Sequence, residues 1–188
     1  MVAPVQALIV VDVQVGLVTG ASAVPDAGGV LAAVRGLLER ARLAGSLVVH
    51  LQNDGAAGTV DEPGQPGWAL HLSPAAGEPV VRKAHDDGFR DTPLAAILAS
   101  RQVTRLAVAG MLSDMCVRAT AIRALDLGFG VVLAHDAHAT YEIPEAVGFG
   151  PSVPAEAVAR AAEWSLGDEA ELVPRAAGVR FTGPPVAG

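Results

Sequence analysis

Ala7-Leu8-Ile9-Val10-Val11 is an unbroken apolar run, rich in β-branched residues, that stops abruptly at Asp12. Continuous rather than alternating hydrophobicity predicts a strand covered on both faces. From Asp26 to Ala44 the spacing changes: Val30, Leu31, Val34, Leu37, Leu38 and Ala41 recur at helical intervals, and Gly45 supplies a C-terminal stop. Ser46 to Leu51 (SLVVHL) is a second apolar strand. Strand, helix, strand is the parallel crossover unit.

The alternation continues along the chain. Pro79 to Arg82 predicts a short strand ending at Lys83, and Thr92 to Arg101 a helix opened by Thr-Pro. Arg105 to Ala109 predicts a strand, Cys116 to Leu127 a helix stopped by Gly128, Gly130 to Ala134 a strand, and Val153 to Leu166 a helix. Ala170 to Phe181 is a candidate edge strand, and Thr182 to Gly188 a frayed tail. Gln52 to Glu78 is mostly Gly, Pro, Asp and Ala; so long an irregular stretch in a compact domain is usually functional or mobile. The prediction is a three-layer α/β/α fold with a mostly parallel central sheet, as one domain over residues 1–188. Active groups of such sheets gather beyond the carboxyl ends of the strands. That rule selects Asp12, Gln52, Lys83, Gly110 and Asp136.

Composition narrows the partners. The 188 residues are 51% hydrophobic but only 4% aromatic, so the core is built from Val, Leu, Ile and Ala. A net charge of −7 with no basic run argues against nucleic acid and against an anionic membrane. The apolar stretch before Asp12 is too short to span a bilayer, and the N-terminus lacks the basic region and cleavage site of a signal peptide. One cysteine cannot form an internal disulfide, which points to a reducing, cytoplasmic compartment.

That cysteine, Cys116, is the first chemical candidate. It follows Gly110-Met111-Leu112-Ser113-Asp114-Met115 at a strand-to-helix turn. With Ser113 or Asp114 as a cap, it falls in the first helical turn, where free amide hydrogens favour a thiolate and can hold an oxyanion. A lone cysteine is equally readable as a small buried apolar residue. Asp12, at the end of an apolar strand, reads as a turn cap or as a buried base. Lys83 reads as a surface charge unless it lies beside a thiol and a carboxylate, where it stabilises both anions.

Four segments, in order, resemble the isochorismatase-like, or cysteine hydrolase, superfamily, which includes nicotinamidases and N-carbamoylsarcosine amidase-type enzymes. They are Ala7 to Gln14 (ALIVVDVQ); Val81-Arg82-Lys83 with Phe89 and Thr92-Pro93-Leu94; Gly110 to Val117 (GMLSDMCV) through Thr120 and Ala124; and Gly128 to Ala137 (GFGVVLAHDA). The resemblance implies a catalytic triad of Asp12, Lys83 and Cys116. It also implies a cis peptide at Met111–Leu112 that aims the Leu112 amide, beside that of Cys116, at an oxyanion. The expected activity is cysteine-dependent cleavage of an amide-like C–N bond of a small molecule through a thioester, with Gln14, Gln52, Trp68 and Phe89 as candidate substrate contacts. Trp68 reads equally as packing beneath the long loop.

No cofactor is expected. Gln52-Asn53-Asp54-Gly55 lacks the Asp-x-His pair of the zinc-dependent nicotinamidases, and His135, Asp136 and His138 read as structural, since neighbours on a strand diverge. His85 reads as a loop residue and His50 as a satisfied core or edge histidine, while His71 lies in the long loop. Oligomers are common in the family, so a dimer or tetramer is expected. Two alternatives stay open: vinyl ether hydrolysis of the isochorismate type with Asp12 as the acid, and a binding or redox-sensing protein without turnover.

Overall fold

The computed structural model describes residues 3–184. Six parallel strands form one sheet in the order β3-β2-β1-β4-β5-β6, from β1 (Ala7–Val11), β2 (Leu47–Asn53), β3 (Val80–Lys83), β4 (Arg105–Met111), β5 (Gly130–Ala139) and β6 (Ala170–Val173). The first strand in sequence is central, and every residue of β1 is buried, as its unbroken apolar run predicts. A parallel sheet needs crossovers, and the helices supply them: a single turn α1 (Val15–Val18), then α2 (Ala27–Leu43), α3 (Leu94–Ser100), α4 (Arg118–Asp126) and α5 (Ala155–Trp164). Alternate residues of β1 divide between two apolar clusters. Leu8 and Val10 meet Val30, Val34 and Leu37 of α2, while Ile9 and Val11 meet Leu94, Leu98 and Ala121 of α3 and α4. This is the expected three-layer α/β/α arrangement.

Most elements fall where the periodicity puts them, but their ends differ. The α2 helix starts one residue after Asp26, whose Oδ1 accepts from the Gly29 amide, as an N-cap does. The strand β2 runs on through Gln52 to Asn53 because the pairing with β3 continues there, Asn53 opposite Lys83. The strand β5 runs past Ala134 to Ala139. Its register against β4 jumps from Val108↔Leu133 to Gly110↔His138, so a bulge pushes His135 and Asp136 out of the ladder. Asp136 is therefore not at a strand end: its Oδ1 accepts from the Ala176 amide at 2.6 Å. Gly110 is also inside a strand, where its φ of 127° and its approach to Val11 leave no room for a side chain; a Cβ would lie 2.0 Å from the Val11 oxygen.

The tail expectation is corrected at its start. Thr182 donates its amide to the Val5 oxygen, and Phe181 bridges Val5, so the chain is tied down there. Residues 185–188 of the expected frayed tail lie outside the described residues.

Candidate active site

Asp12, Lys83 and Cys116 come from the carboxyl ends of β1 and β3 and from the turn after β4, and they meet. Lys83 Nζ lies 2.7 Å from Asp12 Oδ2 and donates to Cys116 Sγ at 3.2 Å. The meeting follows from topology: β1 lies between β2 and β4, with β3 one strand further, so their carboxyl ends open on one crevice. Asp12 has a φ of 48°, a left-handed conformation uncommon outside glycine, though aspartate takes it more readily than most residues. Its Oδ1 is buried with no hydrogen-bond donor among the described residues.

The electrostatics favour a neutral thiol beside the Asp12–Lys83 pair. Burial pushes the Asp12 carboxyl up, with Lys83 opposing, and the net shift is upward. Burial pulls Lys83 down, but Asp12 and the Cys116 sulfur outweigh it and hold the ammonium above its ordinary value. Burial and the Asp12 charge both raise the Cys116 thiol, against Lys83. The expected lowering by a helix start is thus overridden. Its geometry is also different: Cys116 sits in a π-helical turn, Ser113–Val117, that precedes α4. Neither Ser113 nor Asp114 caps it, since Ser113 Oγ meets His138 Nδ1 at 2.8 Å and Asp114 accepts from Thr140 Oγ1. The Met111–Leu112 peptide at the entry to this turn is cis.

The four candidate contacts divide. Gln14 is fully buried, and its amide is used within the scaffold: Nε2 donates to the Asn53 and Trp68 oxygens, and Oε1 accepts from the Asn53 amide. Gln52 Nε2 donates to the same Trp68 oxygen at 2.9 Å. Both side chains hold the long loop against β2. Trp68 is half-buried, its Nε1 donating to Asp54 Oδ1 and its ring under the Arg82 guanidinium at 5.0 Å. Phe89 is buried in the apolar cluster that contains Cys116 and stacks on Phe129 at 6.1 Å.

Residues not singled out from the sequence complete the site. Asn53 Oδ1 accepts from Lys83 Nζ at 3.1 Å, and Asn53 Nδ2 donates to Asp61 Oδ2 at 2.6 Å. Asp86 Oδ1 lies 3.5 Å from Cys116 Sγ at the exposed rim. Tyr141 donates to the Ser22 oxygen, and burial with Asp61 nearby raises its phenol. The strand-end rule would have found Asn53 had β2 been drawn one residue longer. Nothing in the sequence pairs Asp61 with it.

A second buried network reaches the same turn. His138 Nε2 lies 3.1 Å and His135 Nδ1 2.6 Å from Glu163 Oε1, while Arg160 donates to Oε2 at 3.0 Å. With the Nε2 hydrogen on Glu163, His138 Nδ1 accepts from Ser113. His50 pairs with Glu78 at 3.0 Å, His71 with Arg35 at 3.4 Å and His85 with Asp91 at 3.4 Å, so each has a scaffold partner. The donors after β2 do not fit a metal: Asn53 faces Lys83, Asp54 pairs with Arg82, and among the described residues no group of three or more His, Cys, Asp or Glu could hold an ion. No described helix is long and apolar enough to cross a membrane.

This sheet is that of a known hydrolase class: residues 6–147 match the isochorismatase domain, and the chain belongs to that family. Two streptothricin hydrolases of Streptomyces noursei are 63% and 61% identical to it, over 97% of this chain and 67% and 73% of their own lengths. The maleamate amidohydrolase of Pseudomonas putida is 32% identical, over 69% of this chain and 70% of its own. An isochorismatase structure from Pseudomonas putida KT2440 superposes with a TM-score of 0.84 at 27% identity, covering 95% of this chain and 94% of that one. The chain is an isochorismatase-family hydrolase with amide-cleaving enzymes among its relatives.

Proposed function

We propose that this protein hydrolyses an amide-like C–N bond of streptothricin, or of a compound close to it, with Cys116 as nucleophile, Asp12 as proton carrier and Lys83 as the cation that supports both anions. The observation that carries the reading is the ammonium, 2.7 Å from the carboxylate and 3.2 Å from the sulfur. The substrate class follows from the identity of 63% and 61% to two streptothricin hydrolases.

The chemistry starts from a neutral thiol. Asp12 takes the S–H proton as sulfur attacks the carbonyl carbon, so no free thiolate has to persist in a site that disfavours it. The oxyanion is held by the amides of Leu112 and Cys116. Collapse breaks the C–N bond, and the Asp12 proton goes to the departing nitrogen. A water, deprotonated by Asp12, then attacks the thioester, and the released sulfur regains a proton. The raised carboxyl of Asp12 suits a group that must both accept and return a proton. No cofactor or metal takes part in these steps.

The test is Cys116→Ala and Cys116→Ser with streptothricin as substrate. Turnover should fall by at least about a thousandfold while the circular dichroism spectrum is kept. Mass spectrometry of the wild type should show an acyl adduct on Cys116. Full activity in Cys116→Ala sinks the covalent scheme. Pyruvate release from isochorismate would favour ether hydrolysis instead, and no turnover on any amide would leave a binding protein. The reading is of a cytoplasmic enzyme, supported by a cysteine kept as a free thiol. It is also of a dimer or tetramer, supported by the exposure of Val147 (99%) and Phe149 (94%); the sedimentation mass decides this.

A further inference from the structure

Lys83 has three ammonium hydrogens and three acceptors around it: Asp12 Oδ2 at 2.7 Å, Asn53 Oδ1 at 3.1 Å and Cys116 Sγ at 3.2 Å. Asn53 and Cys116 accept hydrogen bonds from it and Asp12 is its ion-pair partner, so the ammonium is enclosed on three sides. Its hold on the sulfur then depends on the other two acceptors staying in place. Asp12 is a carboxylate and accepts with either oxygen. Asn53 is not symmetric: turned over, it would present an NH2 group to the ammonium, donor against donor.

The surroundings decide which way it faces. The Asn53 main chain is bracketed by Gln14, which accepts from its amide at 2.9 Å and donates to its oxygen at 3.0 Å. What remains free is the rotation of the carboxamide, and Asp61 Oδ2, an obligate acceptor, takes the Nδ2 hydrogen at 2.6 Å. Asp61 is held in turn: its Oδ1 shares the Thr59 hydroxyl with the Ala56 oxygen, each at 2.8 Å, and the Gly55 amide donates to its main-chain oxygen at 3.0 Å. A Cβ at residue 55 would lie 2.1 Å from Asp61 Oδ1, so the close approach requires a glycine.

We propose that Asp61 is a positioning residue: by fixing the Asn53 carboxamide with its oxygen toward Lys83, it keeps the ammonium against the Cys116 sulfur. This couples the order of the long loop after β2 to the reactivity of the nucleophile. It rests on the reading of Cys116 as nucleophile and Lys83 as its support, but its test needs no substrate.

The experiment is alkylation of Cys116 by iodoacetamide, followed from neutral to alkaline pH, with the fold checked by circular dichroism. In Asp61→Ala the rate should fall about tenfold and the rate–pH curve move about one unit to higher pH. Asp61→Asn keeps an acceptor oxygen for Nδ2 and should stay within about threefold of wild type. Asn53→Leu should match Asp61→Ala, and the double variant should move no further, since both remove the same contact. An unchanged or faster curve for Asp61→Ala overturns the proposal. So does an Asp61→Asn curve displaced as far as that of Asp61→Ala, because charge and not amide orientation would then be at work. Additive displacement in the double variant overturns it too. If Asp61→Ala does not fold, Asn53→Leu carries the test, and a wild-type curve there overturns the proposal. Failure of the hydrolysis reading shows separately, as full turnover in Cys116→Ala, and leaves these curves as they are.

Discussion

Two buried carboxylates reach the turn that carries Cys116, and each lies near a side chain with nucleophilic chemistry. Asp12 faces Lys83 and Cys116; Glu163 faces His138, which faces Ser113. On connectivity alone, serine, histidine and glutamate look the better catalytic line. The two differ in how completely they are satisfied. Glu163 accepts from His138, His135 and Arg160, and although burial pushes it up, the two histidines hold it down at about 2. Asp12 has two buried oxygens without hydrogen-bond geometry to any donor among the described residues, only the ion pair to Lys83, and is pushed up. Ser113 is 1% exposed, Cys116 8%. A carboxylate fixed in its charged form, beneath a hydroxyl that no substrate reaches, is a brace. A carboxyl left short of partners beside a less buried thiol is, in the proposed scheme, the one that exchanges a proton.

The largest expected effect breaks the poised side. Lys83→Met removes the only cation paired with Asp12 among the described residues and leaves a buried carboxyl alone. Urea unfolding should show a loss of about 3–5 kcal/mol, and turnover should vanish. Adding Asp12→Asn should recover much of the stability and none of the activity. If Lys83→Met turned over normally, the ammonium would be scaffold and the contrast with Glu163 would collapse.

Glu163 gives an intermediate effect, on stability. Its folded carboxyl lies near 2 against an ordinary 4.5, so the fold favours the charged form. That stabilisation is complete above about 4.5 and is lost as pH falls toward 2. Glu78, held at about 2 against burial by Arg42, the Ala75 amide and His50, adds a similar share. Glu163→Gln should therefore cost about 1–3 kcal/mol at neutral pH. It should also flatten roughly half of the acid dependence seen in denaturant midpoints between those two pH values. An unchanged acid slope would mean that Glu163 is not the brace described.

Far more of the fold than of the brace was legible in the sequence. The run Ala7 to Val11 announced a central strand, and Asp12 and Lys83 stood at strand ends because polarity returns where the sheet stops covering the chain. The same reasoning failed at His135 and Asp136. Their polarity looked like the end of β5, but it marks a bulge inside a strand that resumes at Ala137, a register event fixed by the partner strand. Gln14 and Gln52 stand at the strand ends the pattern gave, and their bonds to the Trp68 oxygen are a loop contact that no local pattern announces. Asp61 lies eight residues beyond Asn53, the last residue of β2, in an irregular stretch where no period links position to contact. The Ser113–His138–Glu163 line joins three elements, and local pattern carries no trace of it.

The smallest expected effect is the sharpest on the comparison. Ser113→Ala removes the hydroxyl that meets His138 Nδ1 at 2.8 Å and leaves a buried ring nitrogen without its partner. A neutral hydrogen bond of this kind is worth about 1–2 kcal/mol when one side is deleted. The midpoint of unfolding should drop by that much, and turnover should stay within about threefold of wild type, because the Cys116 sulfur keeps Lys83 and Asp12. The π-helical turn has its own backbone support: the Val117 and Met115 amides both donate to the Leu112 oxygen at 3.1 Å. A hydroxyl at its first residue can thus go without moving the sulfur at its fourth. Were Ser113→Ala to lose activity as completely as Cys116→Ala, the satisfied network would be part of the chemistry, and completeness of hydrogen bonding would no longer separate brace from base in this molecule.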